Sequence, residues 1–385
     1  MLMKKINLVV LTREYPIEVA GTKRVQHLLE QLLISETQIK VLSLRSRNKI
    51  EHETGLYNGI PYERISSSVS LNILQLHKVF QYYFRTISSI RNAKKNGIKN
   101  IIYSYGVLNI ENLVFILYSK IIGYKLLIDI VEDYTTLSDN LKLISKFKIW
   151  TLRKLDSLNV FLADAIVVIS THLYRKYKNM KAQNLTLITI TARTFSDFKP
   201  KIKFNQPFLI VYAGSFGDKD GVNLIIDGFI EFNKSFKSTQ LYLIGSSDQQ
   251  KKYLNKYQAF QNIIFTGFIP DDEYFPLIQK ADVLCMCRTN SAYANAGFPF
   301  KLGEYLATGN PIIATRVSDV ELFLSDESAF LIDADSKKQF LNALLSIKSD
   351  PLEAFRKGHN GFHICKTKFS PKINSELLYN LLLKI

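Results

Sequence analysis

The sequence predicts an α/β protein built as two doubly wound, Rossmann-like domains facing across a cleft. Apolar runs of strand length alternate with longer amphipathic segments, as expected where parallel strands are joined by crossover helices. The alternation runs through once, breaks over residues 191–207 and then restarts. At 385 residues, with 47% hydrophobic and 22% charged, the chain exceeds the size at which one core usually keeps growing and has apolar content for two.

In the first series Ile6 to Thr12 reads as a strand, Thr22 to Ile34 as a helix and Ile39 to Leu44 as a strand. Further strands are expected at Ile101 to Tyr105, Lys125 to Ile130, Ala165 to Ile169 and Leu185 to Ile190. The polar, basic stretch 191–207, with Pro200 and Pro207, is the expected linker. The second series has strands at Phe208 to Ala213, Gln240 to Ile244, Asn262 to Phe265, Val283 to Cys287 and Pro311 to Thr315. Its helices are expected near Val222 to Asn233, Glu273 to Lys280 and Pro299 to Thr308. The domains are accordingly expected at 1–195 and 208–370, with a C-terminal helix in 371–385 packing back on the first.

A net charge of +16 implies an anionic partner, whether nucleic acid, an acidic membrane face or a phosphate-bearing substrate. Nucleic acid is not expected, since no DNA- or RNA-binding motif accompanies the charge. No apolar run reaches the roughly 18 residues that cross a bilayer. Lys4 and Lys5 precede an apolar stretch, but Arg13 and Glu14 follow it with no small-residue cleavage site, which reads as a buried first strand in a cytoplasmic protein. Cys285, Cys287 and Cys365 have neither zinc-ligand nor disulfide spacing, so no metal site is expected.

The richest segment for chemistry runs from Ala296 to Pro311. It follows a buried strand, so the loop from Arg288 to Phe298 falls at a strand's carboxyl end, where open α/β sheets place ligands. Pro299 suits a first helical turn and Gly309 the residue past a helix end. The start of that helix, with Lys301 in its first turn, is a candidate diphosphate site. One turn on, the two oxygens of Glu304 are candidates to accept from a ribose diol. The alternative is a surface ion pair between Lys301 and Glu304.

The run Phe298-Pro299-Phe300-Lys301-Leu302-Gly303-Glu304-Tyr305-Leu306-Ala307-Thr308-Gly309-Asn310-Pro311 resembles the donor-site motif of the retaining glycosyltransferases of family 4. Residues 211–222, Leu243-Ile244-Gly245 and Phe265-Thr266-Gly267-Phe268-Ile269-Pro270 resemble that family's successive strand ends in the same order. The resemblance implies a GT-B fold, transfer from a nucleoside diphosphate sugar with retention, UDP or GDP as the nucleotide, and no cofactor or metal. It implies that Glu304 holds the donor ribose, that Lys301 and Lys219 are candidates for the phosphates, and that Gly21, Gly214, Ser215, Phe298, Pro299 and Leu302 line the donor site. There are two departures. Ala296 stands where the family has a first glutamate, and Ser215 and Asp220 stand where it has arginine and lysine. Lys219 or Arg288 is then expected to supply the missing charge, because a metal-free site must meet the leaving diphosphate with preorganised donors.

In the first half, the loop Thr12 to Thr22 resembles the family's glycine-containing loop; Gly21 permits close backbone approach and Thr22 is a candidate helix cap. Glu132 and Asp133 follow a strand and in outline match the segment beside acceptor and donor sugar; a solvated turn or cap is the alternative. His172 is read as structural. Two stretches mix basic with apolar and aromatic residues. One runs from Leu71 to Lys95 and includes Ile73, Phe80, Phe84, Lys78, Arg85 and Arg91; the other runs from Lys142 to Lys181 and includes Lys146, Lys148, Trp150, Arg153 and Lys154. Each is either an anionic-membrane contact or a core helix with a solvated face. The function expected is transfer to a glycan or lipid-linked acceptor in bacterial surface-polysaccharide assembly, at the inner face of the plasma membrane. A non-catalytic sugar-nucleotide or partner binder of the same fold is the alternative.

Overall fold

The computed structural model describes residues 6–16, 20–35, 37–45, 53–66, 76–136, 143–194 and 201–385. The chain divides into two compact units: unit 1 is Met1–Thr189 with Pro371–Ile385, and unit 2 is Ile190–Ser370. The crossing from one to the other thus falls between Thr189 and Ile190, ahead of the expected linker. Ile190 and Ala192 are buried, and the Ala192 amide donates to the Phe369 carbonyl at 2.9 Å. Of that linker, residues 195–200 lie outside the described residues.

Unit 1 is built on an eight-stranded sheet in the order β3-β4-β2-β1-β5-β6-β7-β8. The strands are β1 (Ile6–Thr12), β2 (Thr37–Ser43), β3 (Glu53–Tyr57), β4 (Ile60–Arg64), β5 (Lys99–Tyr105), β6 (Lys125–Ile130), β7 (Ala165–Val168) and β8 (Leu185–Leu187). All neighbours run parallel except the β3–β4 hairpin. Strand β1 is buried at every position, as a central parallel strand covered on both faces must be. The helices are α1 (Ala20–Leu32), α2 (Leu76–Ala93), α3 (Ile110–Ile121), α4 (Leu143–Leu162) and α5 (Thr171–Asn179). The chain's last helix, α14 (Pro371–Lys384), packs against α1 and adds Leu378, Leu381 and Leu382 to the core of this unit.

Unit 2 is wound on a six-stranded sheet in the order β11-β10-β9-β12-β13-β14, parallel throughout. Its strands are β9 (Phe208–Ala213), β10 (Thr239–Ile244), β11 (Ile263–Gly267), β12 (Val283–Met286), β13 (Ile312–Thr315) and β14 (Phe330–Ile332). Between and after them come α6 (Val222–Ser235), α7 (Asp248–Tyr257), α8 (Asp271–Lys280), α9 (Ala292–Ala296), α10 (Phe300–Leu306), α11 (Val320–Phe323), α12 (Lys337–Ser349) and α13 (Pro351–Lys368). Helix α10 has seven residues, shorter than the expected Pro299 to Thr308. Pro299 sits just outside it at the cap, and Gly309, at φ 66, takes the left-handed conformation past its end. Helix α12 packs on α6, where Gly228 leaves room for the ring of Phe340.

The core of unit 1 holds a fully buried ion pair that no periodicity reveals. The Arg24 guanidinium pairs with Asp129 on β6 and donates to the carbonyls of Ile188 at 2.8 Å and Thr189 at 3.0 Å. The Tyr103 hydroxyl on β5 also donates to Asp129. Both charged side chains are fully shielded from solvent. Removing one partner of such a pair leaves an uncompensated buried charge, so Asp129→Ala is expected to lower the stability of unit 1 by about 3–5 kcal/mol. Urea unfolding followed by circular dichroism checks this, with Leu127→Ala on the same strand as a comparison for loss of packing alone.

Candidate functional site

In unit 2 the chain reverses its winding direction between β9 and β12, which are neighbours in the sheet. The loops that follow them, 214–221 and 287–291, therefore meet at the carboxyl edge, the position at which doubly wound sheets bind ligands. Gly221 makes this meeting possible. Its φ is 54, and a Cβ there would stand 2.5 Å from the carbonyl oxygen of Cys287. Two hydrogen bonds then tie the loops: the Thr289 amide donates to the Lys219 carbonyl and the Thr289 hydroxyl to the Asp218 carbonyl, both at 3.1 Å.

Charged side chains converge on this edge. Lys301 Nζ lies 3.0 Å from Asp220 Oδ1 and 4.3 Å from the centroid of the Tyr212 ring, the geometry of a cation over an aromatic face. A Cβ at residue 214 would stand 2.5 Å from that ammonium, so Gly214 is what lets Lys301 reach its place. The second oxygen of Asp220 accepts from the Ser215 hydroxyl at 2.9 Å and the Gly217 amide at 3.2 Å. Burial pushes the Asp220 carboxyl up, but Lys301, Ser215 and Lys219 more than reverse this and hold it at about 2. Burial pulls the Lys301 ammonium below its ordinary value against the pull of Asp220, and Arg288 and Lys219 act in the same direction as burial. Lys219 lies over the Tyr293 ring at 4.8 Å. Arg288 is almost fully buried; its amide donates to Thr315 Oγ1 at 2.7 Å and its Nη1 to the Gly297 carbonyl at 3.2 Å.

Of the residues read from the sequence, Ser215, Lys219 and Lys301 are thus gathered around Asp220, with Gly214 beside the Lys301 ammonium and Arg288 acting on it. Glu304 sits one turn beyond Lys301 on α10, and its Oε2 accepts from the buried Tyr274 hydroxyl at 2.8 Å. The alternative of a Lys301–Glu304 ion pair gives way to separate partners, Asp220 for the lysine and Tyr274 for the glutamate. The side chains of Phe298 and Leu302 point into the core. Leu302 is fully buried, and the Phe298 ring packs on Phe323 and Phe369 at centroid distances of 5.4 and 5.9 Å. Pro299 serves as the α10 cap without a side-chain hydrogen bond. Three residues that the sequence reading passed over shape the edge: Tyr212 under Lys301, Tyr274 behind Glu304, and Tyr305, whose hydroxyl accepts from the last amide of β9 at 2.7 Å. Their spacing follows the core periodicity, so no separate signal distinguishes them.

The candidates in unit 1 are engaged differently. Gly21 lies inside the first turn of α1, and the space beside it is taken by Tyr105, whose hydroxyl would stand 3.0 Å from a Cβ at 21. Thr22 does not cap α1; its hydroxyl donates to the Glu14 carbonyl at 3.2 Å. Asp133 is 3% exposed, and its oxygens are met by the Thr135 hydroxyl at 2.6 Å, Lys176 at 2.9 Å and His172 at 3.4 Å. Burial raises this carboxyl, and the contacts from Thr135 and Lys176 more than reverse that, for a net shift downward. This makes Asp133 an anchor for its turn. Glu132 hydrogen-bonds Tyr134, whose phenol is pushed up by burial and then by that carboxylate. Among the described residues no cluster of His, Cys, Asp and Glu is arranged to hold a metal ion.

Residues 207–350, most of unit 2, match the family model described as glycosyl transferases group 1. The whole chain is similar in structure to sucrose-phosphate synthase from Thermosynechococcus elongatus, with a TM-score of 0.75, 17% identity and 98% of each chain covered. It is also similar to Anabaena Alr3699/HepE solved in complex with UDP-glucose, with a TM-score of 0.69, 12% identity, and 98% of this chain and 100% of that one covered. A third likeness is to WaaG, a glycosyltransferase involved in lipopolysaccharide biosynthesis, with a TM-score of 0.70, 13% identity, and 96% and 99% coverage. The chain has the GT-B fold. No curated protein matches it in sequence. Within this GT-B fold, the similarity to glycosyl transferases group 1 lies in unit 2, over residues 207–350.

The Asp220–Lys301 pair sets a pH dependence. A carboxyl depressed to about 2 stabilises the folded state above its unfolded value of about 3.9, and the contribution disappears as pH falls from about 4 to about 2. Asp220→Asn is expected to cost about 2 kcal/mol at pH 7 and to flatten the loss of stability between about pH 4 and pH 2, as read from urea midpoints across that range.

Proposed function

We propose that this protein is a retaining glycosyltransferase that moves a sugar from a nucleoside diphosphate sugar to a glycan or lipid-linked acceptor in the assembly of a cell-surface polysaccharide. The observation that carries this reading is the gathering of Lys219, Arg288 and Lys301 at the switch point of unit 2, with Glu304 one turn away. Three cations gathered at one strand edge suit a diphosphate, whose charge grows as the glycosidic bond breaks. Glu304, steadied by Tyr274, accepts hydrogen bonds from the donor ribose. Ala296 is fully buried and offers the donor sugar no carboxylate. Unit 1 supplies the acceptor side, with Glu132 as the candidate group there. UDP is the first nucleotide to test, since Alr3699/HepE of Anabaena holds UDP-glucose, and GDP is the second.

The basic excess has a place in this reading. No helix among the described residues is long and apolar enough to cross a membrane. Helix α2 buries Tyr82, Thr86 and Ile90 on one face and exposes Phe80 and Phe84, 72% and 74% accessible, on the other, beside the exposed Lys78, Arg85 and Arg91. On α4, Phe147 and Trp150 stack at 6.0 Å and are both exposed. Ile73 and Lys142 of the expected stretches lie outside the described residues, as do the side chains of Lys146 and Lys148. An apolar face rimmed by cations fits the cytoplasmic, anionic surface of a membrane that carries a lipid-linked acceptor.

Radiolabelled UDP- and GDP-sugars incubated with membrane lipid extracts test the activity. Glu304→Ala is expected to lower kcat/KM by about 100-fold, the effect of two lost charge-assisted hydrogen bonds. Nuclear magnetic resonance of the product reads anomeric configuration; inversion contradicts the reading, and absence of both transfer and donor hydrolysis in the native enzyme leaves a non-catalytic binder. Sedimentation with anionic vesicles at low salt is expected to capture the protein, and a paired Phe80→Ser, Phe84→Ser change to release most of it. Equal binding to neutral vesicles argues against the electrostatic part.

A further inference from the structure

The donor edge of unit 2 contains its own anion. Lys301 has three N–H bonds; one meets Asp220 Oδ1 at 3.0 Å, and the ammonium rests on the Tyr212 ring at 4.3 Å. The side chain remains 18% exposed, so a ligand oxygen has access to what is left of its donor capacity. Asp220 is held far more tightly than it holds. It is 6% exposed, receives the Ser215 hydroxyl and the Gly217 amide, and donates its own amide to the Gly217 carbonyl at 2.8 Å. A short, fixed carboxylate at the base of a cation cluster does two things at once. It keeps a desolvated ammonium paired while no ligand is bound, and it repels any phosphate that comes to the same ammonium.

Resting on the donor-site reading above, we propose that Asp220 is a positioning residue that limits how tightly unit 2 holds nucleoside diphosphate. The carboxylate satisfies Lys301 in the empty site and weakens the grip on the phosphates in the filled one, so that the diphosphate left after transfer departs readily. The group sensed is the phosphate pair and neither base nor ribose. The residue acts through Lys301 and the charge it places beside the phosphates.

Titration calorimetry of the full chain with uridine, UDP and inorganic pyrophosphate tests this in the native protein, Asp220→Asn and Asp220→Ser. Asn and Ser both remove the charge and keep a partner for Ser215, and Ser decides the case if the Asn protein does not fold by circular dichroism. Expected is a tightening of about tenfold for UDP and pyrophosphate, the effect of removing one screened like charge at this range, with uridine unchanged. Product inhibition by UDP is expected to strengthen in parallel while KM for the donor falls. A merely structural Asp220 predicts weaker binding of uridine and UDP alike, and that result overturns the proposal. UDP affinity unchanged by either substitution also overturns it while leaving the donor-site reading intact. Failure of all three ligands to bind the native protein and both variants removes the donor-site reading and the proposal with it.

Discussion

The contact between Gly221 and the Cys287 carbonyl is the constraint on which the carboxyl edge of unit 2 depends. A parallel doubly wound sheet brings the ends of β9 and β12 side by side, but the distance between the loops above them is set by what stands in the gap. Here nothing does, because residue 221 has no side chain and takes a left-handed φ of 54 that other residues adopt at a cost. The loop can then turn directly into α6, and Lys219 is delivered to the same edge as Arg288. Gly214 repeats the device at the other end of the same loop, clearing the space that the Lys301 ammonium fills.

That edge is also a study in how buried charge is tolerated. The ionic groups draw on several kinds of partner: a carboxylate and a ring face for Lys301, a ring face for Lys219, a backbone carbonyl for Arg288, a phenol for Glu304. Neutral partners such as rings and carbonyls attract a cation without cancelling its charge. The Arg24–Asp129 pair of unit 1 differs, with opposite charges closing on each other inside a core.

Much of the fold was legible because parallel strands are written as apolar runs. The strands β1, β6, β7, β9, β10, β12 and β13 fall within a residue or two of their expected places. The β3–β4 hairpin was passed over although it carries a strong local signal. Asn58-Gly59 form its two-residue turn, both with positive φ, but β3 has no fully buried position and β4 carries Pro61, Glu63 and Arg64, so neither shows a plain apolar run. At the site, Lys301, Glu304, Lys219 and Arg288 were legible through their position after strands. Asp220 entered the reading only as a lost cation, because a carboxylate's value to a lysine 81 residues away is a fact of three-dimensional packing. The side chains of Phe298 and Leu302 are committed to the core, which adjacency to Lys301 in sequence does not tell.

The return of the last helix to the first unit has a consequence for biogenesis. Residues 1–189 leave the ribosome long before α14 exists, yet the core they form is closed by Leu378, Leu381 and Leu382, and the α1 carbonyl of Leu28 is met by the Ser375 hydroxyl at 2.7 Å. While unit 2 is being synthesised, that apolar face of α1 stands open to water and to other nascent chains. Unit 2, by contrast, is contiguous in sequence and can fold as it emerges. The order of maturation therefore runs against the order of synthesis, and the first unit made is the last to be finished.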